Sequence, residues 1–394
     1  MAQPTVGKNA LIILAAEKTE VARTALAEIE RLGARIIHVY PPHILIGQMT
    51  TEIEAQVRAV ANVVAVHRGR VELASVQAYG ATAVQAVKGW NRSFAASFMA
   101  LKSGRASEGK SWGAPGYAPE GPMQPPQGHQ GSRASFADGD TSAYLIGKVA
   151  VNIIIVEGQA SPYTLTSLER DTIVAEIQDG LGWLGNQEPR ARVSWIYEVR
   201  PVSLDLDPAQ VSDFSEDTWR NAAMGRLGYP ASWDGLEQFV RARRAALGTD
   251  WSMAIFVTRF PLWHFAYAFK PRIVMSYDLD GWGIDDMDRI VAHETGHIFG
   301  CGDEYAESKC SCDQLFGYLQ VPNGNCELGA AHPVQCIMSH NTWAMCDYTR
   351  AQLGWRDSNN DGIFDPLDKP VIVKRKMWWE ILWAWVEVLL KRKP

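Results

Sequence analysis

His293, Glu294 and His297 are residues of the right type and spacing for metal chemistry. On a helix, residues four apart share a face about a turn apart, so one tetrahedral ion can take both imidazoles. Glu294 lies beside that row, within reach of a water on the ion. Zinc lowers the pKa of such a water towards ~7. Glu294 then accepts the proton as the water attacks a carbonyl, which makes it the candidate general base. Gly300 comes three residues after His297, where a residue tolerant of the left-handed conformation reverses the chain cheaply. Asp303, three residues further on, is placed to complete a three-ligand zinc site with an open fourth position. Its neighbour Glu304 is the alternative third ligand. A surface helix carrying ordinary histidines is the competing reading.

The run His293-Glu-Thr-Gly-His297-Ile-Phe-Gly300-Cys-Gly-Asp303 resembles the metzincin zinc metalloendopeptidases, whose pattern continues from His-Glu-x-x-His to Gly and a third ligand. Most metzincins have His as that ligand. The resemblance implies Asp303 here, as in the snapalysin-like group. It also implies a methionine turn beneath the metal, matched by Cys336-Ile337-Met338-Ser339; a plain core methionine is the alternative for Met338. Some metzincin groups have, two residues later, a Tyr that contacts the metal or the developing oxyanion. His340 stands there and becomes a candidate stabiliser of the tetrahedral intermediate. The implied architecture is a twisted mixed sheet with an active-site helix, in an α/β (α+β) chain. Substrate would lie extended along an edge strand, for which 272–277 is the candidate.

A second oxygen-rich pattern follows. Asp357, Asn359, Asp361, Asp365 and Asp368 fall at positions one, three, five, nine and twelve of a calcium-type loop. Gly362 is at six, and Ile363 offers its carbonyl at seven. Asp368 is shorter than the usual bidentate Glu, and Pro366 argues against a normal exiting helix. The loop resembles the dockerin or thrombospondin-repeat kind, and its Ca2+ would be structural. A solvated turn without metal is the alternative.

The elements that must position these residues read as follows. An order βαββαβ, the ferredoxin-like pattern, is predicted over 1–72, with strands at 10–16, 35–40, 43–49 and 63–67 and helices at 19–32 and 51–60. Its layout resembles the propeptide domains of subtilisin-type proteases, and a generic small α/β module fits equally. Residues 73–142 read as a helix at 82–99 and then a Gly/Pro/Ser-rich linker from 103. A catalytic domain is expected over 143–356, opened by the continuous apolar run 149–157 of a strand buried on both faces. Helices are predicted at 165–184, 218–227, 236–247 and 285–299, and strands at 191–202, 251–258 and 272–277. The loop 357–368 comes next, and then a basic, Trp-rich amphipathic tail over 369–394. The apolar part of that tail is too short to span a bilayer. It suits a membrane interface, or else a docked helix or partner tag.

The 394 residues are 47% hydrophobic and 21% charged, ordinary for a globular protein, and the net charge of -6 argues against nucleic acid as a partner. All six cysteines fall between 301 and 346, which suggests disulfides and an extracellular or cell-surface location. A second, thiolate-bound zinc in a reducing compartment is the competing reading, and no secretory signal is visible. The expected function is therefore a zinc endopeptidase acting on a protein or peptide, held latent by its N-terminal domain. The alternative is a delivered effector or surface-binding protein whose terminal modules dock, with proteolysis secondary or lost.

Overall fold

The apolar runs of the sequence become strands of one large sheet. This computed structural model describes residues 8–16, 18–116, 140–212 and 214–368. The Trp-rich tail expected over 369–394 lies outside them.

The first module is β1 (Lys8–Leu14), α1 (Thr19–Arg31), β2 (Arg35–Tyr40), β3 (Ile44–Met49), α2 (Thr51–Val57) and β4 (Val63–His67). Its strands are ordered β4-β1-β3-β2, all antiparallel. α1 and α2 cover one face through Ala22, Ala25, Leu26, Ile29 and Val57, packed on Ile12, Leu14, Ile36 and Leu45. Two helices follow, α3 (Gly80–Ser93) and α4 (Ala96–Lys102), where the sequence suggested one. The break falls at Phe94-Ala95.

Next come β5 (Lys148–Gly158), α5 (Ser167–Asn186), β6 (Ser194–Leu204), α6 (Glu216–Arg226), α7 (Trp233–Leu247), β7 (Trp251–Thr258), β8 (Ala266–Phe269), β9 (Arg272–Ser276) and α8 (Met287–Ile298). A two-stranded ribbon, β10 (Leu315–Phe316) and β11 (Val321–Pro322), and a short α9 (Asp347–Gln352) complete the described elements. β6, β5, β7 and β9 are parallel neighbours, and β8 closes the row antiparallel to β9. α5 opens with a capping box, Thr166 and Glu169 bonding each other's backbone. α6 and α7 cover one face with Trp219, Leu236 and Phe239 against Phe256 and Val274.

Two sequence expectations change here. The strand at 272–277 is interior, flanked by β7 and β8, so the sheet edge is β8. Four residues between a loop and a cis-proline turn carried too little pattern to be seen. The boundary expected near 73–142 is crossed by the sheet itself: β2 pairs in parallel with β6, His38 opposite Trp195 and Val39 opposite Ile196. The reason is legible in β2. Ile36, Ile37, His38, Val39 and Tyr40 are buried in succession, the pattern of a strand covered on both faces rather than of an edge. His38 Nδ1 bonds Tyr197 Oη at 2.9 Å, and Tyr40 bonds Gln178 of α5. The described residues up to Arg356 accordingly form one compact unit, and those from Asp357 on a second.

The expected linker also begins later. Residues 105–112 bond to Asp286, to α8 and to 337–341, while 117–139 lie outside the described residues. Arg105 makes a two-pronged bond to Asp288, with Nη1 to Oδ1 at 3.0 Å and Nη2 to Oδ2 at 2.7 Å. Ser107 bonds Asp286, and Glu108 pairs with Arg289 at 2.5 Å. Gly109 N–H donates to Asn341 O and Asn341 N–H to Lys110 O, each at 2.8 Å. Composition suggested disorder because this segment has few periodic apolar residues. Its order comes from polar partners far along the chain.

Candidate metal centre and active site

α8 is buried almost throughout, and its second half carries His293, Glu294 and His297. Gly300 stops it with φ +92° and donates to His297 O at 3.0 Å, while Cys301 N–H reaches back to Gly296 O at 2.9 Å. This reversal returns Asp303 to the helix. His293 Nε2 and His297 Nε2 lie 3.0 Å apart, and Asp303 Oδ1 lies 3.3 and 3.1 Å from them. A tetrahedral zinc with bonds of about 2.0–2.1 Å separates its ligands by about 3.3 Å. The three atoms therefore form one face of such a tetrahedron.

The partners of the rings agree. His293 Nδ1 bonds Ile337 O and His297 Nδ1 bonds Cys301 O, each at 2.9 Å. A carbonyl only accepts, so both rings carry a proton on Nδ1 and turn Nε2 inward. Two imidazole nitrogens and a carboxylate oxygen facing one another are a cation's donor set once the histidine proton has left. Burial would raise the Asp303 carboxyl, but the two imidazoles outweigh it and hold it well below the usual carboxylate range. Burial alone would lower His297, yet Asp303 and Glu294 carry it up to about 10 in the metal-free chain.

Glu294 is buried, and its Oε2 has no hydrogen-bond partner among the described residues. Burial raises its carboxyl above the ordinary value, His293 and His297 pull it down, and Asp303 pushes it up. An orphaned carboxylate oxygen beside the donor triangle is placed to take a proton.

Met338 is fully buried under the helix. A Cβ on Gly296 would lie 2.8 Å from Met338 Sδ, so glycine is what lets the methionine approach between the two histidines. Met338 O accepts from Glu304 N–H at 3.0 Å, and His340 N–H donates to Cys336 O at 2.8 Å, closing the turn. The His340 ring bonds Ser339 Oγ at 2.8 Å and faces Glu327 at 3.5 Å. It stays outside the group of donors formed by His293, His297 and Asp303. Glu304, the alternative third ligand, stays outside it too and joins Cys336 and Cys346.

Three further residues border this centre. Trp112 packs its ring 5.2 Å from that of His293, centroid to centroid, and donates Nε1–H to Ile337 O at 2.6 Å, the carbonyl that also holds His293. Tyr305 is near enough to Asp303 and Glu294 that, after burial, those two carboxylates are the main causes keeping its phenol protonated. His264, just before β8, is kept neutral chiefly by burial and senses Asp303 and His293. No spacing rule marks Trp112 or His264. Tyr305 carried one signal, its place two residues after Asp303.

The cysteines divide. Cys310 and Cys326 form a disulfide, and Cys301, Cys312, Cys336 and Cys346 are free thiols. In the calcium-type loop the donors bond one another. Asn359 Nδ2 donates to Asp361 and Asp368, and Ser358 to Asp365. Backbone N–H groups of Gly362 and Ile363 serve Asp357 and Asp361. The Asp368 carboxyl is raised, first by desolvation and then by Asp361, Asp365 and Asp357. No helix among the described residues is long and apolar enough to cross a membrane. No family model matches the chain, and no curated protein matches it.

Proposed function

We propose that the chain is a zinc-dependent endopeptidase with a metzincin-like site. The observation that carries this reading is the triangle of His293 Nε2, His297 Nε2 and Asp303 Oδ1 at tetrahedral-edge spacing beside the unpartnered carboxylate of Glu294. Zinc held there supplies a Lewis acid for the scissile carbonyl and a lowered pKa for water. Glu294 takes the proton of the attacking water and delivers it to the departing amine. Tyr305, kept protonated by burial and then by its carboxylate neighbours, donates to the developing oxyanion, a role that suits it better than His340, whose ring is engaged with Ser339 and Glu327. The outer edge of β8 offers unpaired backbone groups to an extended peptide. Nearby, the exposed Trp263 packs at a tilt against Phe214, ring centroids 5.5 Å apart, and supplies an apolar surface for a substrate side chain.

The first four strands share the sheet with β6, so we read them as part of the scaffold rather than as a detachable cover. Glu294→Gln lowers kcat/KM for a peptide substrate by roughly 10²–10⁴-fold with zinc content unchanged. In the wild type the rate rises with pH as Glu294 ionises, because only the ionised form accepts a proton; burial pushes that acid limb up and positive charge at the triangle pulls it down. An unchanged rate in Glu294→Gln ends this mechanism.

A further inference from the structure

A second group of ligand atoms lies close to the first. Glu304 and Cys336 are fully buried and Cys346 is 6% exposed, and one oxygen and two sulfurs of the three lie within 4.8 Å of one another. The mechanism above uses none of them. Cys346 Sγ is 3.0 Å from Glu304 Oε1. The Thr349 hydroxyl sits among all three, 3.1 Å from Glu304 Oε1, 3.2 Å from Cys336 Sγ and 3.4 Å from Cys346 Sγ. Asn325 Nδ2 holds the other oxygen of Glu304 at 2.6 Å. Among the described residues, no Lys, Arg or His pairs with Glu304.

Two backbone amides aim at the sulfurs. Cys346 N–H reaches Cys336 Sγ and Thr349 N–H reaches Cys346 Sγ, each at 3.3 Å. Amides directed at sulfur stabilise it as an acceptor, the condition of a metal-bound thiolate. The two thiols give up their protons on binding a metal, whose positive charge then offsets the desolvation of the buried carboxylate and thiolates. Mixed sulfur and carboxylate donors at this spacing suit zinc rather than calcium or magnesium. Cys301, a third buried thiol, lies outside this group and turns its Sγ to the Thr349 carbonyl at 3.8 Å.

We propose that Glu304, Cys336 and Cys346 bind a second, structural zinc. The site would hold the scaffold of the first. Cys301 O fixes His297, and Ile337 O, one residue after Cys336, fixes His293. Glu304 follows Asp303 in the chain and is tied to the Met338 carbonyl. The same backbone therefore serves both groups of donors.

The test uses the full chain, purified with zinc present and without chelator. Wild type carries about two zinc per chain and His293→Ala about one. Cobalt replacement gives a sulfur-to-cobalt charge-transfer band in both. Cys346→Ser loses that band and one metal while keeping the metal at His293. Should Cys346→Ser not fold, the cobalt spectra of wild type and His293→Ala decide alone. Absence of the sulfur-to-cobalt band in both overturns the proposal. So does a Cys336–Cys346 disulfide found by peptide mapping of the zinc-grown protein. Neither result depends on peptidase activity, so the proposal and the endopeptidase reading fail separately.

Discussion

The zinc triangle and the calcium-type loop are both metal motifs of the sequence, and they reach very different states in the fold. At the triangle the supporting carbonyls of Ile337 and Cys301 take the outward protons of both rings, which leaves the inward donors, among the described residues, facing one another. In the loop 357–368 the donors are spent on the loop's own amides and on each other. The first site is preorganised by a buried helix, and its cost of assembly is met by the fold. The second must exchange its internal bonds for a cation, so its gain on binding is smaller. A motif names the ligands; the partners of those ligands decide whether an ion finds them ready.

Three predictions can break or sharpen this contrast, beginning with the largest. Gly296→Ala places a Cβ against Met338 Sδ and forces the methionine or the helix to move. Thermal or denaturant unfolding should show a loss of about 1–3 kcal/mol. Zinc content and peptide cleavage should fall with it, because both histidines flank that position. Retained stability and activity would mean that Met338 does not support the site.

The next concerns protons. His297 holds its proton to about pH 10 without metal, while Asp303 has lost its own far below neutrality. Zinc must displace that one proton, so at pH 7.5 binding should release about one proton from this pair. Apparent affinity should then rise roughly tenfold per pH unit up to the His297 value. Calorimetry in buffers of different ionisation enthalpy reads the release directly. Zinc uptake without proton release would contradict the geometry of the triangle.

The smallest effect belongs to the loop. Calcium should raise the melting temperature by no more than about 4 °C, since ligand binding stabilises only by its occupancy term. Asp361→Asn should remove that rise and leave zinc content unchanged. A large calcium effect would show that the loop is as ready as the triangle.

Much of the site was legible because its geometry is local. The spacing of His293 and His297 needs only helical period, and the return of Asp303 needs only a glycine at 300. Met338 was readable from its distance downstream, and β1 to β4 from alternating apolar runs. What escaped depends on partners distant in sequence. The pairing of β2 with β6 joins residues more than 150 apart, and nothing in either strand names the other. Trp112 sits in a Gly- and Ser-rich stretch whose order comes from backbone groups at 337–341. The six cysteines read as a disulfide set, yet they divide into one bridge and four thiols because their spacing fixes no pairing.

Diffraction from zinc-loaded crystals at the zinc absorption edge shows most directly whether His293, His297 and Asp303 hold one zinc. The prediction is an anomalous peak about 2.0–2.2 Å from His293 Nε2, His297 Nε2 and one oxygen of Asp303, facing Glu294. A zinc-loaded crystal with no peak at that triangle, or with Glu304 in place of Asp303, would contradict it.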